Sequence, residues 1–117
     1  MSERVPVVLV IDDERNTREG LRRAFRSKYE ILLAESAARG LELLREQTVD
    51  VVVTDLRMPG MDGMALTREV AAKADAPIVI MLTAYGTLET SVQAMNVGAY
   101  DYLAKPIDLD SLEMIID

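Results

Sequence analysis

VVLVIDDERNTREGLRRAF, Val7 to Phe25, reads as a strand that turns directly into a helix. Val7–Ile11 is continuous in apolar residues, as a strand covered on both faces must be. Thr17, Leu21 and Phe25 then recur at i, i+4 and i+8, the spacing of one helix face. Between the two stand Asp12, Asp13 and Glu14. Two like charges about 4 Å apart repel by roughly 4 kcal/mol at an effective dielectric near 20. Three carboxylates crowded at the end of an apolar strand therefore call for a positive partner.

The same unit recurs along the chain. Further strand-like runs lie at Ile31–Ala34, Val51–Thr54, Ile78–Leu82 and Tyr100–Ala104, with helical spacing between them. Ser36 is a good N-cap ahead of Ala37, Leu41 and Leu44, and Asp62-Gly63 precedes Leu66 and Val70. Thr87 stands as a cap before the stripe Leu88, Val92 and Met95, and Gly98 follows as a C-cap. Leu109, Leu112 and Ile116 give a fifth helix. Strands alternating with helices predict a doubly wound (βα)5 domain over residues 1–117, with a parallel sheet and right-handed crossovers. No linker or low-complexity tract interrupts it. The last helix reaches Asp117 after about two turns without a cap. The expectation is a truncated fifth helix whose natural chain continues; a short native helix is the alternative.

Composition excludes several classes of function. Half of the 117 residues are hydrophobic, which argues against disorder. No apolar run reaches the roughly 18 residues of a membrane span, and VPVVLVI lacks the flanks of a signal peptide. The absence of cysteine fits a reducing compartment, so a cytoplasmic location is expected. The absence of histidine removes imidazole acid–base catalysis, Ser-His-Asp triads and most zinc sites. A net charge of −7 argues against direct nucleic-acid binding by this domain.

In open α/β sheets, ligands sit outside the carboxyl ends of the strands. Asp12 and Asp13 end the first strand, Asp55 the third, Thr83 the fourth and Lys105 the fifth. In the order 2-1-3-4-5 the first and third strands adjoin, so three carboxylates share one mouth. Each residue also has a plainer reading. Asp12 and Asp13 suit a helix cap, Asp55 the turn before Pro59-Gly60, Thr83 a strand end, and Lys105 a solvated surface. The plain readings do not account for the convergence. A carboxylate cluster without His or Cys suits a hard cation such as Mg²⁺. A carboxylate beside that ion is a nucleophile towards phosphorus, with Lys105 and Thr83 as donors to the phosphoryl oxygens.

VIDDE, TDLRMPGMDG, IVIMLTAYG and YDYLAKP, in this order over essentially the whole chain, resemble a response-regulator receiver domain of bacterial two-component signalling. The resemblance implies a flavodoxin-like (CheY-like) fold. It implies that Asp12 and Asp13 are the Mg²⁺ carboxylates, with Asp13 the direct ligand. Asp55 would be both phosphoacceptor and ligand, and the Arg57 backbone carbonyl a further ligand. Thr83 and Lys105 would bind the phosphoryl group, Thr83 and Tyr102 would form the switch, and Lys105-Pro106 would be a cis peptide. Without that context Tyr102 reads as core packing, and Met58, Met61 and Met64 as packing also. Ile107 departs from the Phe that many relatives carry after Lys-Pro. Arg57 and Tyr85 fall at positions that vary in the family and tune the lifetime of the phosphate.

The implied donor is a sensor histidine kinase, and the implied response a change on the face formed by the fourth helix, fifth strand and fifth helix. That face would serve a linked output domain or a homodimer. GAYDYLAKP with DLRMPGMDG looks most like receivers of sigma-54-dependent transcriptional activators, which carry an ATPase and a DNA-binding domain after the receiver. No enzyme activity is expected beyond the domain's own phosphoryl transfer and autodephosphorylation. Two alternatives share parts of the pattern. A haloacid-dehalogenase-like phosphatase needs a second Asp two residues after the nucleophile, where Arg57 stands. A flavin-binding module needs a phosphate loop after the first strand, where DDERNTRE would repel phosphate.

Overall fold

A computed structural model describes residues 5–58, 60–73, 75–84, 88–105 and 107–116. Pro59, Tyr85, Thr87, Pro106 and Asp117, each given a part above, lie outside the described residues. In chain order the elements are β1 (Val7–Ile11), α1 (Arg15–Phe25), β2 (Glu30–Ala34), α2 (Ala37–Glu46) and β3 (Val51–Asp55). They continue with α3 (Gly63–Ala71), β4 (Ile78–Thr83), α4 (Leu88–Asn96), β5 (Asp101–Ala104) and α5 (Leu109–Ile116). The strands form one parallel sheet in the order β2-β1-β3-β4-β5. The (βα)5 expectation is met strand for strand, with ends shifted by a residue at β2 to β5.

Side-chain alternation along the strands divides the interior in two. Val7, Leu9 and Ile11 of β1 join Val52, Val79, Leu41, Leu66 and Val70 in a core beneath α2 and α3. Val8 and Val10 point the other way and meet Val51, Val53, Ile80, Leu82, Leu21, Phe25 and Leu112 beneath α1 and α5. Both faces of β1 are therefore sealed, which is why its sequence shows no polar alternation. At the start of the sheet, the Asp50 carboxylate accepts the Val7 amide at 2.8 Å, tying the loop before β3 to β1.

Helix ends follow local chemistry. Ser36 accepts the Arg39 amide and Asp62 the Ala65 amide, as N-caps do. Gly98 has φ 112°, the left-handed conformation that closes α4. The Asp108 carboxylate accepts the Asp110 amide and the Ser111 hydroxyl at the entry to α5, and these bonds hold its carboxyl below the usual range. Lys28 pairs with Glu113, fastening α5 beside the end of α1.

Some sequence expectations need correction. Val92 and Met95 of α4 do not face the core; they are 50% and 49% exposed, whereas Ala94 is buried. Ala94 packs with Met81, Leu56 and Tyr102, so at this point the helix seats on a methyl group and leaves Val92 and Met95 outside. Tyr100 precedes β5 and is exposed, not part of the strand. Leu109 is exposed in the first turn of α5, while Ile115 and Ile116 pack against the core with Leu112. Met58 is core and Met64 packs beside Leu56, whereas Met61 is exposed. Ile107 packs against the α1/α5 core.

Among the described residues, Thr67 of α3 buries a hydroxyl with no hydrogen-bond partner. Such a group costs about 1–3 kcal/mol, and a near-isosteric apolar replacement removes the cost. Thr67→Val should raise the urea midpoint by the equivalent of about 1 kcal/mol with the slope of the transition unchanged.

Candidate functional site

The carboxyl ends of β1, β3, β4 and β5 meet at one mouth, and the sheet ladder continues one step beyond each relevant strand pair. The Asp12 amide donates to the Ala34 carbonyl at 3.1 Å, the Leu56 amide to Leu82 at 2.8 Å and the Lys105 amide to Thr83 at 2.7 Å. The polar side chains thus stand on backbone that is still held by the sheet. In register, Ile11 lies beside Thr54, Asp55 beside Leu82 and Thr83 beside Ala104. Asp12 and Asp55 are therefore lateral neighbours.

Asp12 is buried (1% exposed), Asp55 half-buried and Asp13 exposed. One carboxylate oxygen from each of the three lies within 4.8 Å of the others. Three hard oxygen donors with no thiolate or imidazole form an acidic cluster suited to a hard divalent cation. Lys105 reaches across from β5. Its Nζ is 3.2 Å from Asp12 Oδ2, 3.3 Å from Asp55 Oδ2 and 4.0 Å from Glu14 Oε1. The solvated-lysine reading fails, since this side chain is only 18% exposed.

Nor do the acidic residues after β1 cap α1. Glu14 occupies the N-cap position without a side-chain cap bond. The Asp12 carboxylate instead accepts the Glu14 amide at 2.9 Å, a local turn that fixes its orientation. Arg18, which sequence reasoning missed, donates Nη1 to the Asp12 carbonyl at 2.7 Å, and Thr17 donates its hydroxyl to Glu14 at 3.0 Å. A basic residue one turn inside an otherwise exposed helix start was the only signal for the former.

Thr83 is buried at the end of β4. Arg57 is exposed, two residues past Asp55. Tyr102 is half-buried, packs beside Met81 and Ala94, and shares a 2.7 Å hydrogen bond with the hydroxyl of Thr90 on α4. Thr90 had no sequence signal, because its partner lies on another element.

Burial raises the Asp12 pKa above its usual 3.8; the Glu14 amide and Lys105 oppose that shift and the Asp55 charge adds to it. Burial works against the Lys105 ammonium, but attraction to Asp12 and Asp55 prevails and its pKa rises above 10.5.

A family model described as response regulator receiver domain matches residues 8–117. The chain is 40% identical over 111 residues to the transcriptional regulatory protein ZraR of Escherichia coli K12, covering 94% of this chain and 25% of that protein. It thus spans about a quarter of that relative's length. A response regulator receiver domain protein from Clostridium thermocellum is 35% identical with a TM-score of 0.88, covering 95% of this chain and 90% of that one. The beryllofluoride-activated NtrC4 receiver domain dimer is 28% identical with a TM-score of 0.87, covering 94% and 92%.

A raised carboxyl pKa in the folded state means that ionisation favours the unfolded chain, so stability is lost as pH rises through the folded value. In chelator-treated protein, Asp12→Asn should unfold at higher urea than wild type at pH 7. That advantage should shrink as pH falls and vanish below 3.8, where Asp12 becomes protonated in both states. Urea titrations across this range check it.

Proposed function

From the premise that this chain belongs to the response-regulator receiver family, we propose that Asp55 accepts a phosphoryl group from a sensor histidine kinase. The observation that carries this reading is the placement of one ammonium, Lys105 Nζ, within 3.3 Å of Asp55 and 3.2 Å of Asp12. An Asp55 carboxylate oxygen attacks phosphorus as the donor's P–N bond breaks. The imidazole nitrogen leaves with the electron pair, and an acyl phosphate remains. The Lys105 ammonium pairs with a phosphoryl oxygen, and the Thr83 hydroxyl donates to another. Positioning and charge neutralisation supply most of the catalysis.

Asp12, Asp13, Asp55 and the Arg57 carbonyl would hold Mg²⁺, and the donor set fits that ion. When bound, it supplies positive charge to the phosphoryl oxygens and relieves the repulsion within the acidic cluster. The alternatives carry less support. Arg57 at the second position after Asp55 gives no acid for multiple turnover, and the acidic turn after β1 disfavours a flavin phosphate. The domain's chemistry is then limited to its own phosphorylation and autodephosphorylation.

The response is a population shift in the region of α4, β5 and α5. Phosphorylation draws Thr83 towards Asp55, and Tyr102, bonded to Thr90 across β5 and α4, relocates. Met114 at 79% exposure, Val92, Met95 and Tyr100 leave apolar surface in this region for an output domain or a second copy. The output domain is covalently linked, as the length of the curated relatives suggests, and combines an ATPase with DNA binding in the manner of sigma-54-dependent activators. A cytoplasmic location suits a kinase-fed switch. Among the described residues, no helix is long and apolar enough to cross a membrane.

With Mg²⁺ and acetyl phosphate, intact-mass measurement should show a single phosphoryl adduct on wild type and none on Asp55→Asn. Chelation should remove labelling, and Thr83→Ala should retain it at a lower rate. An undiminished adduct on Asp55→Asn would falsify the acceptor assignment.

A further inference from the structure

Glycine at Gly63 needs an explanation. Among the described residues only Gly60 and Gly98 have positive φ, so the backbone at Gly63 is one that any L-residue adopts. Gly63 is the first residue of α3, where a side chain is ordinarily tolerated. The constraint is spatial. A Cβ there would stand 2.4 Å from the Asp55 carbonyl oxygen and 2.9 Å from the Leu56 Cα. Both contacts are backbone, so no rotamer change relieves them.

Two other helix glycines set the scale. At Gly20 of α1 a Cβ would meet nothing within 4 Å. At Gly40 of α2 it would meet the Ile11 side chain, with Cδ1 at 2.4 Å and Cγ1 at 2.9 Å, so the nearest atoms are side chain and not backbone. Only at Gly63 must the chain segment carrying Asp55 itself move. That segment is held from both sides: the Leu56 amide donates to Leu82 on β4, and the Leu56 carbonyl accepts the Gly63 amide, each at 2.8 Å. The start of α3 and the edge of β4 together grip the peptide units that follow Asp55.

We propose that Gly63 is a positioning residue for Asp55: with no side chain, it lets α3 begin in contact with the Asp55–Leu56 backbone and fixes where the Asp55 carboxylate stands relative to Lys105 and Asp12. This inference rests on Asp55 being the acceptor. A methyl group at Gly63 displaces the carboxylate from its partners, and a reacting group displaced by about 1 Å loses up to a hundredfold in rate. Gly63 is buried at the start of α3, so unfolding of the variant is read alongside its labelling.

The test compares Gly63→Ala, Gly40→Ala, Gly20→Ala and Asp55→Asn. The readouts are labelling rate with acetyl phosphate and Mg²⁺, Mg²⁺ affinity by calorimetry, thermal unfolding, and amide NMR shifts of metal-free protein. Gly63→Ala should unfold cooperatively yet label about tenfold to a hundredfold more slowly, bind Mg²⁺ more weakly, and shift the Asp55, Leu56 and Lys105 amides without added metal. Gly20→Ala should label within about twofold of wild type, since its Cβ meets nothing, and Gly40→Ala should slow labelling less than Gly63→Ala, since the nearest atoms it meets are side chain. Wild-type labelling and Mg²⁺ affinity in Gly63→Ala overturn the inference while leaving Asp55 as acceptor. So does a Gly63→Ala chain that does not fold, since the effect would then be on the whole domain. Persistent labelling of Asp55→Asn removes the acceptor reading and this inference with it.

Discussion

The Lys105 ammonium is the counter-charge that lets the acidic mouth exist in a folded chain. Asp12 is buried and Asp55 half-buried, and both approach the same nitrogen within 3.3 Å. Without it, two partly desolvated carboxylates would face each other across adjacent strands. Removing the ammonium would leave both carboxylates uncompensated, which is worse than having built an apolar site. The pair therefore constrains β1, β3 and β5 to end at a common level. The parallel sheet satisfies this with ladder bonds carried one step past the strand ends.

The fold was legible because its strands alternate with helices in unbroken apolar runs. Val7–Ile11 and Val51–Val53 are buried on both faces, so their composition alone announced covered strands. The mouth was legible for a topological reason: in a parallel sheet every strand ends on the same side, so Asp12, Asp55, Thr83 and Lys105 could be gathered by counting strands. Contacts between side chains of different elements were not legible. The bond between Thr90 and Tyr102, and that from Arg18 to the Asp12 carbonyl, depend on how helices seat on the sheet. The misreading of Val92 and Met95 has the same origin. Helical spacing shows that one face is apolar, but the seating of the helix on the sheet decides which residues are covered, and here Ala94 is buried while Val92 and Met95 are not.

Glycines illustrate the same divide between local and tertiary information. Gly98 announced itself as a helix terminator through its place after an apolar stripe, and its left-handed backbone bears that out. Gly63 also sits at a helix boundary, but its significance lies in the Asp55 carbonyl against which it packs. A sequence pattern cannot tell a glycine required by dihedral angle from one required by proximity. Coordinates separate them.

The unequal construction of the sheet has a mechanical consequence. β1 and β3 are central, flanked by partners on either hand, whereas β5 is a four-residue strand at the margin with β4 alone beside it. A small displacement of the central strands would disturb both interior layers at once. The same displacement of the margin sacrifices a few rungs and the seat of one ring. Stiffness and compliance are thus allotted to different parts of a single sheet, so the domain can yield where it must respond while the rest keeps its shape.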